Sequence, residues 1–243
     1  MSFRLVPSPN HDARPEGGVI DMLVLHYTGM KTAEEALARL CDPAAKVSAH
    51  YTIDRDGCVC THVPEERRAW HAGVSYWAGA PNVNGRSIGI ELVNPGHEFG
   101  YIPFTDKQIA ALIDLADGIM ARHPIVPARV LGHSDVAPGR KTDPGEMFPW
   151  KHLADFGIGI WPPHPSALRC RSVPPNGGEG ARAGEGDVFV AGNLSRFGYG
   201  VPPAVDVPLE AVITAFQRHF RPSCIDGVAD DECAAILAAL LAL

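Results

Sequence analysis

The stretch GHSDVAPGRKTDPG (Gly132–Gly145) places His133 and Asp143 near the two ends of one loop. A neutral imidazole and a carboxylate are both good ligands for Zn²⁺. The turn at Pro138-Gly139 reverses the chain, so the two ends of the loop can converge on one ion. Lys141 precedes Asp143 by two residues, and in an extended segment the two side chains point to the same side. The stretch therefore predicts two ligands of a metal site with a cation beside them.

Two apolar segments elsewhere in the chain offer a third ligand and an acidic group. His26 ends the run LVLH (Leu23–His26), and a strand there would present its last side chain to a cleft. Glu91 lies in the run SIGIELV (Ser87–Val93), where a carboxylate is costly to bury without a partner. It has either a structural partner or a raised pKa that is useful in catalysis. Two histidines and one aspartate would leave a fourth zinc position open, as in catalytic zinc sites.

The composition limits the classes of function. The formal net charge of −7 argues against a nucleic-acid partner, because phosphate binding relies on clustered Lys and Arg. No apolar run of ~18 residues is present, so we expect no transmembrane segment. The first residues lack the apolar core of a secretory signal, which predicts a cytoplasmic location; a periplasmic or outer-membrane location stays open if a leader is missing. The sequence specifies no oligomeric state.

The first part of the chain alternates between strand and helix signals. Strands are predicted at Val19–Tyr27, Ser48–Asp54, Cys58–Val63, Ser87–Val93 and Arg129–His133. Helices are predicted at Thr32–Leu40 and Asp106–Ala121, with Thr32 and Thr105 as N-caps. This order predicts an α/β domain over residues 1–161. Its mixed central β-sheet would be flanked by helices, and its strand ends would present the polar candidates.

The composition changes after Trp161. Proline and glycine mark residues 162–184, which we interpret as a linker, and its glycine content predicts mobility between the parts that it joins. Residues 185–243 contain three predicted helices, at Asp187–Phe197, Leu209–Phe220 and Asp230–Ala242. They predict a small three-helix domain.

Five stretches of the first part resemble the zinc-dependent N-acetylmuramoyl-L-alanine amidases of the type-2 amidase family, whose fold peptidoglycan recognition proteins and phage T7 lysozyme share. They are LVLHYTG (Leu23–Gly29), SAHYTIDRDG (Ser48–Gly57), AWHAGVSYW (Ala69–Trp77), SIGIELVN (Ser87–Asn94) and LGHSDVAPGRKTDPG (Leu131–Gly145). The segment AFQRHFRPSCIDGVAD (Ala215–Asp230) resembles the three-helix peptidoglycan-binding module that follows some of these amidases.

The resemblance implies that His26, His133 and Asp143 bind one Zn²⁺ ion and that Glu91 and Lys141 are catalytic. The implied reaction hydrolyses the amide bond between N-acetylmuramic acid, in its ordinary or its 1,6-anhydro form, and the L-alanine of peptidoglycan stem peptides. It would serve cell-wall turnover or recycling. Glu91 would take a proton from the attacking water and pass it to the departing amine, and Lys141 would share the oxyanion charge with the ion.

Six further residues are candidates for substrate binding, and four of them (Tyr27, His50, Trp70 and Arg140) have a structural alternative. They are Tyr27, His50, Trp70, His71, Asn84 and Arg140. Tyr27 either acts through its hydroxyl or packs in the core. His50 lies within a predicted strand, which favours a supporting histidine over a fourth ligand. His71 is expected in a loop over the cleft, and Arg140 either meets a stem-peptide carboxylate or is solvated.

Two other functions stay open. The first is a recognition protein that binds muropeptide or peptidoglycan without cleaving it. Non-catalytic members of this fold lack a zinc ligand, whereas all three candidate ligands are present here. The second is a different zinc amide hydrolase, such as a peptidase or a deacetylase. The absence of an HExxH motif argues against the peptidase.

Overall fold

The computed structural model describes residues 2–163 and 185–243. Its centre is a six-stranded β-sheet, in which every neighbouring pair of strands is parallel except β4 and β5. The strands lie side by side in the order β1 (Phe3–Leu5), β5 (Val59–Thr61), β4 (Tyr51–Ile53), β9 (Ser87–Leu92), β3 (Met22–Tyr27) and β10 (Val130–Gly132). The predicted mixed sheet flanked by helices is confirmed.

Two short ribbons, eight α-helices and two 3₁₀-helices (Val83–Gly85 and Pro127–Arg129) complete the described part of the chain. The ribbons pair β2 (His11–Ala13) with β6 (Arg67–Ala69) and β7 (Tyr76–Trp77) with β8 (Ala80–Pro81). The helices are α1 (Ala33–Cys41), α2 (Gly96–Phe99), α3 (Asp106–Arg122), α4 (His133–Val136), α5 (Trp150–Asp155), α6 (Glu185–Phe197), α7 (Leu209–Phe220) and α8 (Asp231–Leu240). None of these helices combines the length and the apolar character that crossing a membrane requires.

The two predicted N-caps, Thr32 and Thr105, start helices α1 and α3. The Thr32 side chain accepts a hydrogen bond from the backbone of Glu35 at the start of α1. Thr105 and Gln108 form a capping box at the start of α3. The apolar side of α3 then packs on one face of the sheet, where alternate residues of β3 and β9 point.

The C-terminal helices cover the opposite face of the sheet. Met22 and Val24 of β3 share a buried core with Phe216, Phe220 and other residues of α6, α7 and α8. The mobile attachment predicted for this segment is therefore wrong for the described residues, because the helices bury their apolar sides against the sheet rather than only against one another. Most of the predicted linker (residues 164–184) lies outside the described residues, and the division into domains 1–161, 162–184 and 185–243 stays a prediction.

Candidate metal centre and active-site cleft

The three predicted metal ligands lie together at one edge of the sheet. His26 Nδ1 is 2.9 Å from His133 Nδ1 and 3.0 Å from Asp143 Oδ2, and His133 Nδ1 is 3.0 Å from the same carboxylate oxygen. All three side chains are buried. Tetrahedral zinc with bonds of ~2.0–2.1 Å needs ligand atoms about 3.3 Å apart, so a small outward adjustment of this triangle fits one ion. Two imidazoles and one carboxylate also suit the ion chemically.

The fold explains why these residues meet. Strands β3 and β10 are adjacent and parallel, and Leu25 is in register with Gly132. His26 is the next residue of β3, and His133 follows β10 as the first residue of α4, so both imidazoles lie at the same end of the sheet. The loop then returns Asp143 to this point, where its carbonyl oxygen accepts a hydrogen bond from the Ser134 backbone N–H at 2.9 Å.

Hydrogen bonds behind His26 determine which of its ring nitrogens carries the proton. The Ser87 hydroxyl donates to the Val83 carbonyl oxygen at 2.7 Å, so its oxygen accepts from His71 Nε2 at 3.1 Å. Burial, and then the neighbouring His26, lower the pKa of His71 well below its usual value, so this ring is neutral. His71 Nδ1 is thus an acceptor, and His26 Nε2 donates to it at 3.0 Å. The lone pair of His26 Nδ1 is left for a metal ion.

His133 is oriented in the same way by a backbone carbonyl. Its Nε2 donates to the Ala72 carbonyl oxygen at 3.1 Å, which leaves Nδ1 with the free lone pair. Arg140 also donates to this oxygen, at 2.6 Å, and to the Val74 carbonyl oxygen at 2.7 Å. The structure therefore uses the Arg140 guanidinium to hold the loop that orients His133.

The charges of two of the candidate ligands, His26 and Asp143, match those that a zinc site needs. Burial, and then the neighbouring His133, lower the pKa of His26 to about 4, so its imidazole is neutral at pH 7. Burial alone would raise the pKa of Asp143, but His133 and His26 outweigh it and hold that pKa well below its usual range. The site therefore offers a neutral His26 and an ionised Asp143.

Glu91 and Lys141 face the same cleft, which has a volume of about 860 Å³. Glu91 is in register with His26 on the neighbouring strand β9. Its Oε2 is buried and has no hydrogen-bond partner among the described residues. Burial, and then the Asp143 carboxylate, raise the pKa of Glu91 well above its usual value, while Lys141 acts against this rise. The pair thus places a carboxyl group and an ammonium group beside the metal-ligand triangle.

The six substrate-binding candidates divide into two groups. Tyr27, Trp70, His71 and Arg140 line the cleft, whereas His50 and Asn84 are not among its lining residues. The Tyr27 hydroxyl, a cleft group, is 2.9 Å from both His97 Nδ1 and Thr142 Oγ1.

The two candidates outside the cleft hold the backbone behind it. His50 is fully buried and accepts a hydrogen bond from the Gly89 backbone N–H at 3.0 Å. Asn84 Oδ1 accepts from the backbone N–H groups of His71, at 3.1 Å, and of Ala72, at 2.8 Å. These contacts assign supporting positions to His50 and Asn84.

Some cleft residues carried no signal in the sequence. Besides His97, the cleft is lined by residues of α1 and α2 and of the segment before α1, among them Lys31, Arg39, Glu98 and Phe99. Only the topology of the sheet could have indicated some of them. His97 and its neighbours follow the end of β9, and the ends of parallel strands meet at one edge of the sheet.

Comparison with known proteins shows which family this chain resembles. Residues 16–146 match the family described as N-acetylmuramoyl-L-alanine amidase. The chain is 43% identical over 236 residues to the N-acetylmuramoyl-L-alanine amidase AmiD of Escherichia coli, and the match covers 91% of this chain and 82% of that protein. It is 40% identical over 170 residues to the 1,6-anhydro-N-acetylmuramyl-L-alanine amidase AmpD of Enterobacter cloacae, over 63% of this chain and 89% of AmpD.

Solved structures show the same similarity. The complex of Escherichia coli AmiD with the substrate anhydro-N-acetylmuramic acid-L-Ala-D-gamma-Glu-L-Lys superposes with a TM-score of 0.78 at 40% identity, covering 95% of this chain and 90% of AmiD. AmpDh3 of Pseudomonas aeruginosa in complex with anhydromuramic pentapeptide superposes with a TM-score of 0.74 at 36% identity, covering 90% of each chain.

Proposed function

This chain belongs to the N-acetylmuramoyl-L-alanine amidase family, and we propose that it hydrolyses the amide bond between N-acetylmuramic acid and the L-alanine of muropeptides in cell-wall turnover or recycling. The observation that carries the proposal is the triangle of His26, His133 and Asp143 beside a carboxyl oxygen of Glu91 that has no hydrogen-bond partner in the part of the chain that the structure describes. Similarity to proteins whose structures hold anhydromuropeptides supports the 1,6-anhydro form as a substrate.

We propose zinc as the metal, with one ion per chain held by His26 Nδ1, His133 Nδ1 and an oxygen of Asp143. The hydrogen bonds that leave both Nδ1 lone pairs free support this ligand set. When bound, the ion would lower the pKa of a water molecule and polarise the scissile carbonyl.

The residues around the ion would handle protons and charge. Glu91 would accept a proton from the attacking water at Oε2 and pass it to the nitrogen of the departing L-alanine, since this oxygen has no hydrogen bond to give up within residues 2–163 and 185–243. Lys141 would stabilise negative charge on the carbonyl oxygen, an effect worth about 3–4 kcal/mol for a well-placed donor. Tyr27, held by His97 and Thr142, would contact the substrate at the mouth of the cleft.

Incubation with purified anhydro-N-acetylmuramic acid-L-Ala-D-γ-Glu-L-Lys, followed by mass analysis, tests the proposal. The zinc-loaded protein is expected to release the intact tripeptide. Glu91→Gln should keep its zinc and lose this release. Glu98→Gln is the matched control, because Glu98 lines the same cleft but is exposed. Full activity of Glu91→Gln would remove Glu91 from the mechanism, and binding of the muropeptide without cleavage would favour the recognition protein.

Two expectations from the sequence stay predictions. One is that residues 185–243 bind peptidoglycan, which co-sedimentation of the intact chain with purified sacculi would test. The other is the cytoplasmic location, which fractionation of cells that express the native gene would test.

A further inference from the structure

A buried carboxylate connects the C-terminal helices to the metal centre. Asp135 lies on α4, two residues after His133, and is fully buried. Its Oδ2 accepts hydrogen bonds from the Gly132 backbone N–H and from His219 Nδ1, each at 2.7 Å. Its Oδ1 accepts one from the Tyr199 hydroxyl at 2.6 Å. Two of the three donors therefore come from the C-terminal segment.

The two C-terminal donors are held rigidly. The His219 ring is stacked between Trp150, at a centroid distance of 3.8 Å, and Phe220, at 3.9 Å. The Tyr199 ring packs edge-on against Trp77 at 4.9 Å and is 1% exposed. Neither donor can turn away from Asp135 without disturbing an aromatic cluster. A buried carboxylate is in turn costly to leave without donors.

A shift of Asp135 would reach two metal ligands. Helix α4 is a single turn, so Asp135 and His133 move together. Ser134 lies between them and binds the carbonyl oxygen of Asp143. The turn also has little free space, because a Cβ at Gly132 would lie 2.9 Å from Pro144 Cδ. The position of Asp135 therefore sets the positions of His133 and of the loop that carries Asp143.

We propose that the C-terminal helices are part of the metal-binding machinery, and that Tyr199 and His219 are positioning residues that act through Asp135. This role is separate from any attachment to the cell wall. It rests on the proposed function only in requiring that the His26–His133–Asp143 site binds a metal ion.

The test measures zinc affinity of the full-length protein by competition with a chelator, together with the visible absorption of the cobalt(II)-substituted site. Tyr199→Phe removes one donor and keeps the ring, and His219→Leu removes the other. We expect each to weaken zinc binding about tenfold or more, in the range seen when groups that orient metal ligands are removed, and to shift the cobalt bands. His219→Asn keeps an N–H near the position of Nδ1 and should restore affinity to within about threefold of wild type.

The control is Ile236→Val on α8, which loosens the same buried core without touching Asp135. It should bind zinc with wild-type affinity and leave the cobalt spectrum unchanged. The proposal is overturned if Tyr199→Phe and His219→Leu keep wild-type affinity, or if Ile236→Val weakens binding as much as they do. A wild-type protein that binds zinc but does not cleave muropeptide would contradict the proposed function alone, since the affinities of the variants are measured without substrate.

Discussion

Replacement of Gly89 by alanine would drive a methyl group into the ring that supports His26. A Cβ built at Gly89 lies 2.4 Å from His71 Cγ, 2.6 Å from His71 Nδ1 and 2.7 Å from His71 Cδ2. Non-bonded carbon atoms normally approach to only ~3.5–4.0 Å, so the ring has to move by about 1 Å. Hydrogen bonds to Ser87 and to His26 hold the ring on both sides. The variant therefore breaks at least one of them.

The loss of stability expected for Gly89→Ala has two parts. Overpacking of a buried site destabilises by about 1–3 kcal/mol, and the lost hydrogen bond between His71 and His26 adds about 1 kcal/mol. We therefore expect Gly89→Ala to lower the free energy of unfolding by about 2–4 kcal/mol. Because His26 Nδ1 would lose the partner that fixes its tautomer, zinc affinity should fall about 10- to 100-fold.

Urea unfolding of the metal-free protein measures the free energy of unfolding, and competition with a chelator measures the zinc affinity. Gly192→Ala is the control, because a Cβ at this position of α6 would meet no described atom within 4 Å apart from its chain neighbours and the backbone of its own helix. An alanine in a helix should be neutral or stabilise by up to about 1 kcal/mol relative to glycine.

A double-mutant cycle with His71→Ala decides whether the clash is the cause. Without the His71 ring the methyl group at position 89 has room, so the second substitution should cost less than about 1 kcal/mol and leave zinc affinity unchanged. If Gly89→Ala costs the same free energy in both backgrounds, or binds zinc as wild type does, the reasoning about this ring is refuted.

Three further expectations concern charge and metal. Asp143→Asn removes the anionic ligand, so zinc affinity should fall more than about 100-fold, and wild-type zinc content after dialysis against a chelator would contradict this. Lys141→Met should lower kcat about 100- to 1,000-fold at unchanged zinc content, and unchanged muropeptide turnover would exclude Lys141 from oxyanion stabilisation. Burial alone would raise the pKa of Glu65, but hydrogen bonds from Arg122 and His123 outweigh it, and the pKa is about 2 in the folded protein. Because this pKa lies below the unfolded value of ~4.3, the stabilisation is complete above about pH 5 and is lost as the pH falls towards 2. Glu65→Gln should lower the free energy of unfolding by about 1–3 kcal/mol at pH 7, a range that allows for solvent screening of the half-exposed Arg122. The difference between the variant and the wild type should shrink below about pH 4. A difference that stays constant with pH would contradict this account of Glu65.

The parts of the fold that follow from local sequence were predictable. Strands β3 and β9 are predominantly apolar, and α3 has apolar residues at helical spacing behind a threonine cap. The convergence of His26 and His133 also follows, because both residues lie at the ends of strands that pair in parallel. The short edge strand β1 was missed, since its three residues are exposed and gain their structure only by pairing with β5, more than fifty residues later.

The supporting contacts of the site were not predictable from local patterns. His71 was expected in a loop over the cleft. It can support His26 only because Gly89, on strand β9, leaves space for its ring. Asp135 meets donors 64 and 84 positions later in the chain, and no periodic pattern links them. Such contacts depend on how helices and strands that are distant in the sequence pack together, so they can be identified only when the whole fold is known.

The core shared by one face of the sheet and the C-terminal helices limits how this chain can be rearranged. Apolar residues among the last sixty or so positions cover Met22, Val24 and Leu131. A fragment that lacks those positions would therefore expose an apolar surface to solvent. The C-terminal helices in turn share their core with residues of the sheet, and joining them to an unrelated enzyme would leave their apolar side uncovered. Although the sequence predicts a separate three-helix domain after a linker, joining either part to another protein at residues 162–184 should yield aggregates rather than active enzymes.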